Sequence, residues 1–322
     1  MRSSHVGSFP LEHSLQNVER ILEDLAVLGV DVPSYPQMRG FIDIYVSPLI
    51  EDNVVSFTGG FMRADLKALT KWSFKTPNVP EAELTVRVVK ESELKFKGLR
   101  APVTGVFTLA SRIYLTMSSS NLSSTVLASK EVVKEFFTEY VARYVKYMSS
   151  LGFSNVFLDE PSLGLIIGAR KNLFNYSDDE IIEVLERVAR AADTVELGIH
   201  VCGQIHKRVL ELLSRVSRVR YLSLEFHDSP KNLEVIDKHA LEVFDKVISP
   251  GVVSSRRPIV ESEYEVLDLL KRVYERAGGR VDLVSSDCGF AGLRGALGDR
   301  EKEYKLALSK LEKVVRAVNA LR

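Results

Sequence analysis

Strand-like and helix-like stretches alternate in unbroken succession through the second half of this chain, and that succession constrains the fold more than any other feature. Apolar residues recur at helical spacing over Lys130–Gly152, and a glycine closes the run. A β-type stretch, Asn155–Leu158, follows and ends in Asp159-Glu160-Pro161. Ser177 and Glu180 stand at capping-box spacing and open a helix predicted to reach Ala192. Then come a strand at Val195–Val201, a helix at Gln204–Val216, a strand at Tyr221–Phe226 and a helix at Leu233–Phe244. A short strand at Lys246–Ser249, a helix at Glu263–Ala277, a strand at Val281–Ser285 and a long helix at Arg300–Leu321 complete the series. Strands of buried type in serial βα units call for a parallel sheet with helices outside it. No GxGxxG follows a strand, which disfavours a dinucleotide-binding sheet. The α/β class that fits 322 residues is a (β/α)8 TIM barrel, read as a single domain over 1–322.

The first half is less regular. A strand at Ser4–Ser8, a helix at Leu15–Leu28, and strands near Val54–Phe57 and Pro102–Val106 are expected. The stretch Leu84–Lys97 reads as a hairpin excursion laid outside the barrel. Helix Lys130–Ser149 carries Phe136, Phe137, Tyr140, Tyr144 and Tyr147, a stripe suited to barrel packing or a subunit contact. Lys plus Arg and Asp plus Glu both number 43, so no net field draws the chain to nucleic acid or an anionic membrane. The start of the chain has no apolar signal core and no run is long enough to span a bilayer, so a cytoplasmic protein is expected.

In a (β/α)8 barrel, chemistry collects just past the C-terminal ends of the strands. His200 and Cys202 follow the strand ending at Ile199, Glu225 follows Leu224, and Asp287 and Cys288 follow Ser285. Asp159 and Glu160 follow Leu158, and Ser8 ends the first strand. His200, Cys202, Glu225 and Cys288 offer nitrogen, two sulfurs and oxygen, a set suited to zinc. A His-x-Cys pair also presents both side chains on one side of an extended strand end. Taken singly, each residue has a plainer reading: an inert buried cysteine, a structural histidine, an ion-paired glutamate. Both cysteines of the chain, with a histidine and a glutamate, nevertheless fall at strand ends. Ligands from three separate strand ends suit a catalytic ion better than a structural one, which more often sits on C-x-x-C knuckles.

Several segments carry a resemblance. VGSFP (Val6–Pro10), TGVFTLA (Thr104–Ala110), LDEPSL (Leu158–Leu163), HVCG (His200–Gly203), SLEF (Ser223–Phe226), SPGVV (Ser249–Val253) and SSDCGF (Ser285–Phe290) run in this order through nearly the whole chain. Together they resemble the catalytic C-terminal barrel of the cobalamin-independent methionine synthase family, in its short archaeal form. The resemblance implies a zinc held by His200, Cys202, Glu225 and Cys288, with Glu225 at the labile position, and the homocysteine thiol as the incoming ligand. It also implies Ser8 near the substrate carboxylate and Asp159 near its ammonium, with Glu160 and Asp287 supporting them from behind. A further acidic substrate contact is matched loosely by Asp43.

Three departures bear on the methyl donor. These residues offer no match to the second, N-terminal barrel of folate-using members, which is expected either as a separate chain, one candidate partner, or not at all. The Asp-x-His pair expected after the PGV turn is replaced by Ser254 and Arg256, and an arginine cannot protonate a departing pterin nitrogen near neutral pH. The tryptophan expected after TGVFTLA is replaced by Arg112. The thiol-activating half of the site is thus retained and the folate half eroded. The reading is zinc-dependent methyl transfer to homocysteine, forming methionine, from a methyl-corrinoid or corrinoid protein rather than a folate. Arg112, Arg256 and Arg257 then face the donor or a partner, unless the arginine pair is a solvated loop. Two other readings keep the zinc: a transferase or lyase acting on another thiol such as coenzyme M, and a non-catalytic subunit of a split synthase.

Overall fold

The computed structural model describes residues 1–115 and 121–322. Its strands, in chain order, are β1 (Val55–Thr58), β2 (Phe61–Ala64), β3 (Arg100–Thr104), β4 (Ile113–Tyr114), β5 (Asn155–Asp159), β6 (Glu196–Val201), β7 (Val219–Glu225) and β8 (Val247–Gly251). A parallel sheet runs β3-β5-β6-β7-β8. Parallel bridges carry the ladder onward: Ile248 pairs Val281, Gly251 pairs Ser285, Val284 pairs Ser3, Ser4 pairs Val32, and Ser34 pairs Arg100. Backbone bonds seal these joins, Ser4 N donating to Val284 O at 2.8 Å and Arg100 N to Pro33 O at 2.9 Å. The ring so formed joins eight parallel segments, the (β/α)8 arrangement.

Side-chain alternation sorts each strand into two faces. Val156 and Leu158 of β5 join the large core beneath the helices, whereas Phe157 turns inward with Val32, Tyr221, Val247 and Leu283. These five form a separate apolar plug inside the ring. Gly198 makes room for it, since a Cβ there would lie 2.3 Å from the Phe157 ring. Two residues further along each strand the same face turns polar: Asp159 above Phe157, His200 above Gly198, Ser223 above Tyr221 and Ser249 above Val247. Period-two geometry thus places a polar layer directly over the plug, at the rim where function is expected.

The helices flank the ring as the spacing predicts, with local departures. The capping box of Ser177 and Glu180 is formed. The Lys130–Gly152 run contains a π segment, Val133–Phe137, and Gly152 closes it with φ 98°. Its aromatic stripe is mostly buried among other rings, which supports the packing reading. The expected helix Leu233–Phe244 is two, Asn232–Val235 and Lys238–Val243, because Asp237 turns out to accept from Ala240 N and restart it.

Two readings of the first half are corrected. Leu84–Lys97 is no hairpin: a helix spans Pro80–Glu91, with proline at its first turn where the missing N–H costs nothing. The hairpin lies earlier, as β1 and β2 joined at Gly59-Gly60, so the strand expected near Val54–Phe57 is outside the ring. The second ring segment is Val32–Tyr35, interrupted by Pro33 and hence weakly strand-like in sequence. Among the described residues, no helix is long and apolar enough to cross a membrane.

Candidate active site

His200 and Cys202 leave the end of β6, and Cys288 sits in the turn after the Val281–Ser285 segment. Their ligand atoms lie within 4.8 Å of one another. His200 Nε2 is 3.1 Å from Cys202 Sγ, and the two sulfurs are 3.3 Å apart, well beyond a disulfide bond. Ser223 Oγ lies 3.0 Å from His200 Nδ1 and fixes the ring so that Nε2 faces the sulfurs. The Cys202 hydrogen bond holds the Cys288 thiol well below its usual range, against burial, and His200 adds to the pull. The same bond, with burial and the charges of Cys288 and Glu225, pushes Cys202 well up. Burial lowers His200, but the hydrogen bond and charge of Cys288 outweigh it and the imidazole is raised. An imidazole and two thiols converging on one point, one of them held below its usual range, form a donor set that fits zinc.

Glu225 ends β7 nearby and is buried. Its charge bears on Cys202, and those of His200 and Cys288 bear on it. Its carboxylate is not part of the tight cluster, however. Oε2 instead accepts from Arg256 Nη2 and Ser229 Oγ, each at 3.3 Å. Burial raises its pKa.

A cavity of about 140 Å³ opens against the cluster, lined by Ser8, Gln37, Asp159, His200, Cys202 and Cys288 among others. Asp159 is 6% exposed, and its Oδ1 has no hydrogen-bond partner among the described residues. Burial pushes its pKa up to about 7, with His200 and Arg100 pulling the other way. Ser8 Oγ accepts from Ala291 N at 3.1 Å, and Gly289 lets it approach, since a Cβ there would sit 2.0 Å from that oxygen.

Glu160 lies behind the cavity. It accepts from Phe107 N, Thr108 N and Thr108 Oγ1 at 3.0, 2.9 and 2.8 Å, clamping the helix Val106–Arg112 to the end of β5. Burial pushes it to about 7, against those three donors. Asp287 accepts from Phe226 N, His227 N and Asp228 N at 3.0, 3.1 and 2.6 Å, tying the turn after Glu225 to the turn bearing Cys288. Burial holds it at about 8.

The structure does not bring Asp43 into this cavity. Asp43 folds back over Gly40 and lines a neighbouring cavity together with Arg112, Phe57, Phe61 and Tyr114. Arg257 pairs with Asp228 at 3.3 Å.

Sequence reasoning passed over several residues. Gln37 and Arg39 line the cavity from the proline-broken second segment, and Arg39 is neutralised by buried Glu81 at 2.6 Å. Arg294 also lines it and donates to backbone carbonyls of Phe9, Leu11 and Met38. Arg100 is fully buried inside the ring, its guanidinium 3.7 Å above the Phe157 ring and without a hydrogen-bond partner among the described residues. Its position at the start of β3 gave no sign of function, because residues there usually serve stability.

A family model described as the catalytic domain of cobalamin-independent synthase matches residues 129–317. The methionine synthase of Methanothermobacter thermautotrophicus is 26% identical over 307 residues, which cover 93% of this chain and 87% of that one. That of Methanothermobacter marburgensis is 25% identical over 327 residues, 98% of this chain and 92% of the other. Among solved structures, a B12-independent methionine synthase from a Shewanella species in complex with selenomethionine has a TM-score of 0.67 at 18% identity, covering 100% and 99% of the two chains.

Proposed function

Because the chain belongs to the cobalamin-independent synthase family through its catalytic domain, we propose that it methylates the thiol of homocysteine, with zinc held by His200, Cys202, Cys288 and Glu225. Bound there, the ion supplies a Lewis acid that keeps a substrate thiol ionised near neutral pH, where a free thiol of pKa about 8.5 is mostly protonated. The chain's own residues supply the rest. Ser223 orients His200, Asp287 holds the Glu225 turn against the Cys288 turn, and Glu160 fixes the wall behind the cavity.

One observation carries the choice of thiol: Oδ1 of Asp159, without a partner among the described residues and buried in the wall of the cavity that reaches the two sulfurs. A buried carboxylate without a partner is costly, and a substrate ammonium would satisfy it through a charge-assisted hydrogen bond. Arg294 and Ser8 line the same cavity and suit a carboxylate. The pair of opposite charges fits a zwitterionic amino acid thiol such as homocysteine. Coenzyme M has a sulfonate and no ammonium, so it would leave Asp159 unsatisfied. A non-catalytic zinc subunit would have no use for such a cavity beside its metal.

We assign the donor as a methylated corrinoid, free or on a protein, despite the family's name. The support is the exchange of two folate-handling positions: Arg256 lies on Glu225 and Asp228, and Arg112 lines the adjoining cavity. A cob(I)alamin leaving group needs no proton, so the loss of a proton donor is tolerated. A corrinoid protein or a separate barrel chain would then approach this rim as partner. The test is an assay of zinc-loaded protein with L-homocysteine and, separately, methylcobalamin, a methylated corrinoid protein and methyl-tetrahydrofolate. Methionine from either corrinoid source is expected. Methionine from the folate alone would overturn the donor assignment, and absence of homocysteine binding would overturn the whole reading.

A further inference from the structure

Glu225 is the one member of the proposed ligand set that stands apart from the others, and the structure shows what holds it there. Arg256 Nη2 is 3.3 Å from Glu225 Oε2, and Ser229 Oγ reaches the same oxygen at 3.3 Å. Arg256 is itself anchored, with Nε 3.1 Å from Asp228 Oδ2. Asp228 is fixed in turn by Ser254 Oγ at 2.7 Å and by Arg257, and its backbone N–H is held by Asp287 at 2.6 Å. The loop that carries Arg256 is secured from below, since Ser254 N donates to Glu261, which pairs with the fully buried Lys310. The arginine is therefore a placed cation with one nitrogen on a permanent partner and another on Glu225.

We propose that Arg256 is a latch for Glu225: it holds the carboxylate beside the His200–Cys202–Cys288 cluster and so keeps the fourth ligand position exchangeable for an incoming thiol. The inference rests on the zinc reading above and concerns how one ligand is released. A carboxylate leaving a cation in a buried site must find another positive partner or bear the desolvation cost alone. Arg256 offers that partner within hydrogen-bonding distance. With zinc held there, Glu225 would pass to Arg256 when a thiol enters, leaving its ligand position to the thiol sulfur, and the thiol proton would be released to solvent. Arg256 acts here as a positioning residue, not as a donor of protons. Its role also has a definite sign: a latch weakens Glu225 as a metal ligand, whereas a residue that merely braced the ligand would strengthen it.

The test compares wild type with R256A, R256K, E225A and the R256A/E225A double variant. Zinc affinity is measured by competition with a chromophoric chelator, L-homocysteine affinity by calorimetry, and zinc–sulfur coordination by X-ray absorption. Arg256 is 58% exposed on its side chain, and Asp228 keeps Arg257 and Ser254, so the variants should fold. For a half-exposed ion pair worth about 1 kcal/mol, R256A should bind zinc about fivefold more tightly and homocysteine about fivefold more weakly. At a fixed, subsaturating homocysteine concentration fewer R256A molecules should show a third sulfur on zinc. R256K should recover part of both effects, and in the E225A background R256A should change neither affinity. Weaker zinc binding by R256A, or no change in either affinity while wild type still gains the third sulfur, overturns the latch alone. Wild-type protein that takes up no zinc overturns the metal reading and the latch with it.

Discussion

Replacing Asp159 by asparagine tests whether the cavity was shaped for a ligand at the expense of stability. The carboxyl is buried, one oxygen lacks a partner among the described residues, and burial pushes its pKa up to about 7 from 3.8. Between those values the native chain holds a proton that the unfolded chain has lost. The group's contribution to stability is therefore complete below about pH 4 and disappears as pH rises through 7. At 1.36 kcal/mol per unit, a rise of about three units corresponds to at most about 4 kcal/mol. Water entry and local relaxation bring the expected figure to about 2–3 kcal/mol. Asparagine keeps the shape and never ionises. In metal-free protein, urea unfolding should show D159N matching wild type near pH 4 and exceeding it by about 2–3 kcal/mol at pH 8. For a chain of this length that gain is about 3–5 °C in Tm. The same variant, zinc-loaded, should lose at least about tenfold in L-homocysteine affinity, since a hydrogen bond to a charged group is worth about 1.5–3 kcal/mol. A pH-independent difference, or a loss of stability at pH 8, would refute the reasoning.

Serine in place of Cys202 or Cys288 should lower zinc affinity by more than about a hundredfold, because a first ligand costs more than the partners behind it; chelator competition measures it, and near-wild-type affinity would exclude the cluster as the metal site. S223A should cost about tenfold in the same titration by freeing the His200 ring, whose Nδ1 now lies 3.0 Å from Ser223 Oγ. G198A should destabilise by about 1–3 kcal/mol, because its Cβ would meet the Phe157 ring at 2.3 Å; calorimetry reads the Tm, and an unchanged value would mean the plug yields freely.

How much of this was legible in the sequence follows from how local each signal is. The βα units of the second half each announce themselves within about a dozen residues, and β5 to β8 fall close to the expected stretches. The second ring segment does not. Val32-Pro33-Ser34-Tyr35 joins its neighbours through isolated bridges, and proline removes a ladder donor, so the segment is held by the ring rather than by its own preference. Gln37 and Arg39 lay hidden with it, since rim residues are found only once their strand is. The cluster of His200, Cys202 and Cys288 was legible because strand ends and thiols are both local features. Its electrical setting was not, because each part arises from burial or from contacts between distant segments. Asp159 becomes a near-neutral titrating group through burial over an apolar plug. Arg256 becomes a partner of Glu225 through a loop packed onto Glu261 and Lys310. In the sequence Arg256 reads as the loss of a proton donor and as a cation turned toward the donor, a partner or solvent, with nothing to tie it to Glu225. In the fold the same residue acquires a position from which it can govern the one ligand expected to move. A substitution that removes one function can thus install another at the same place, and alignment to a family motif registers only the removal.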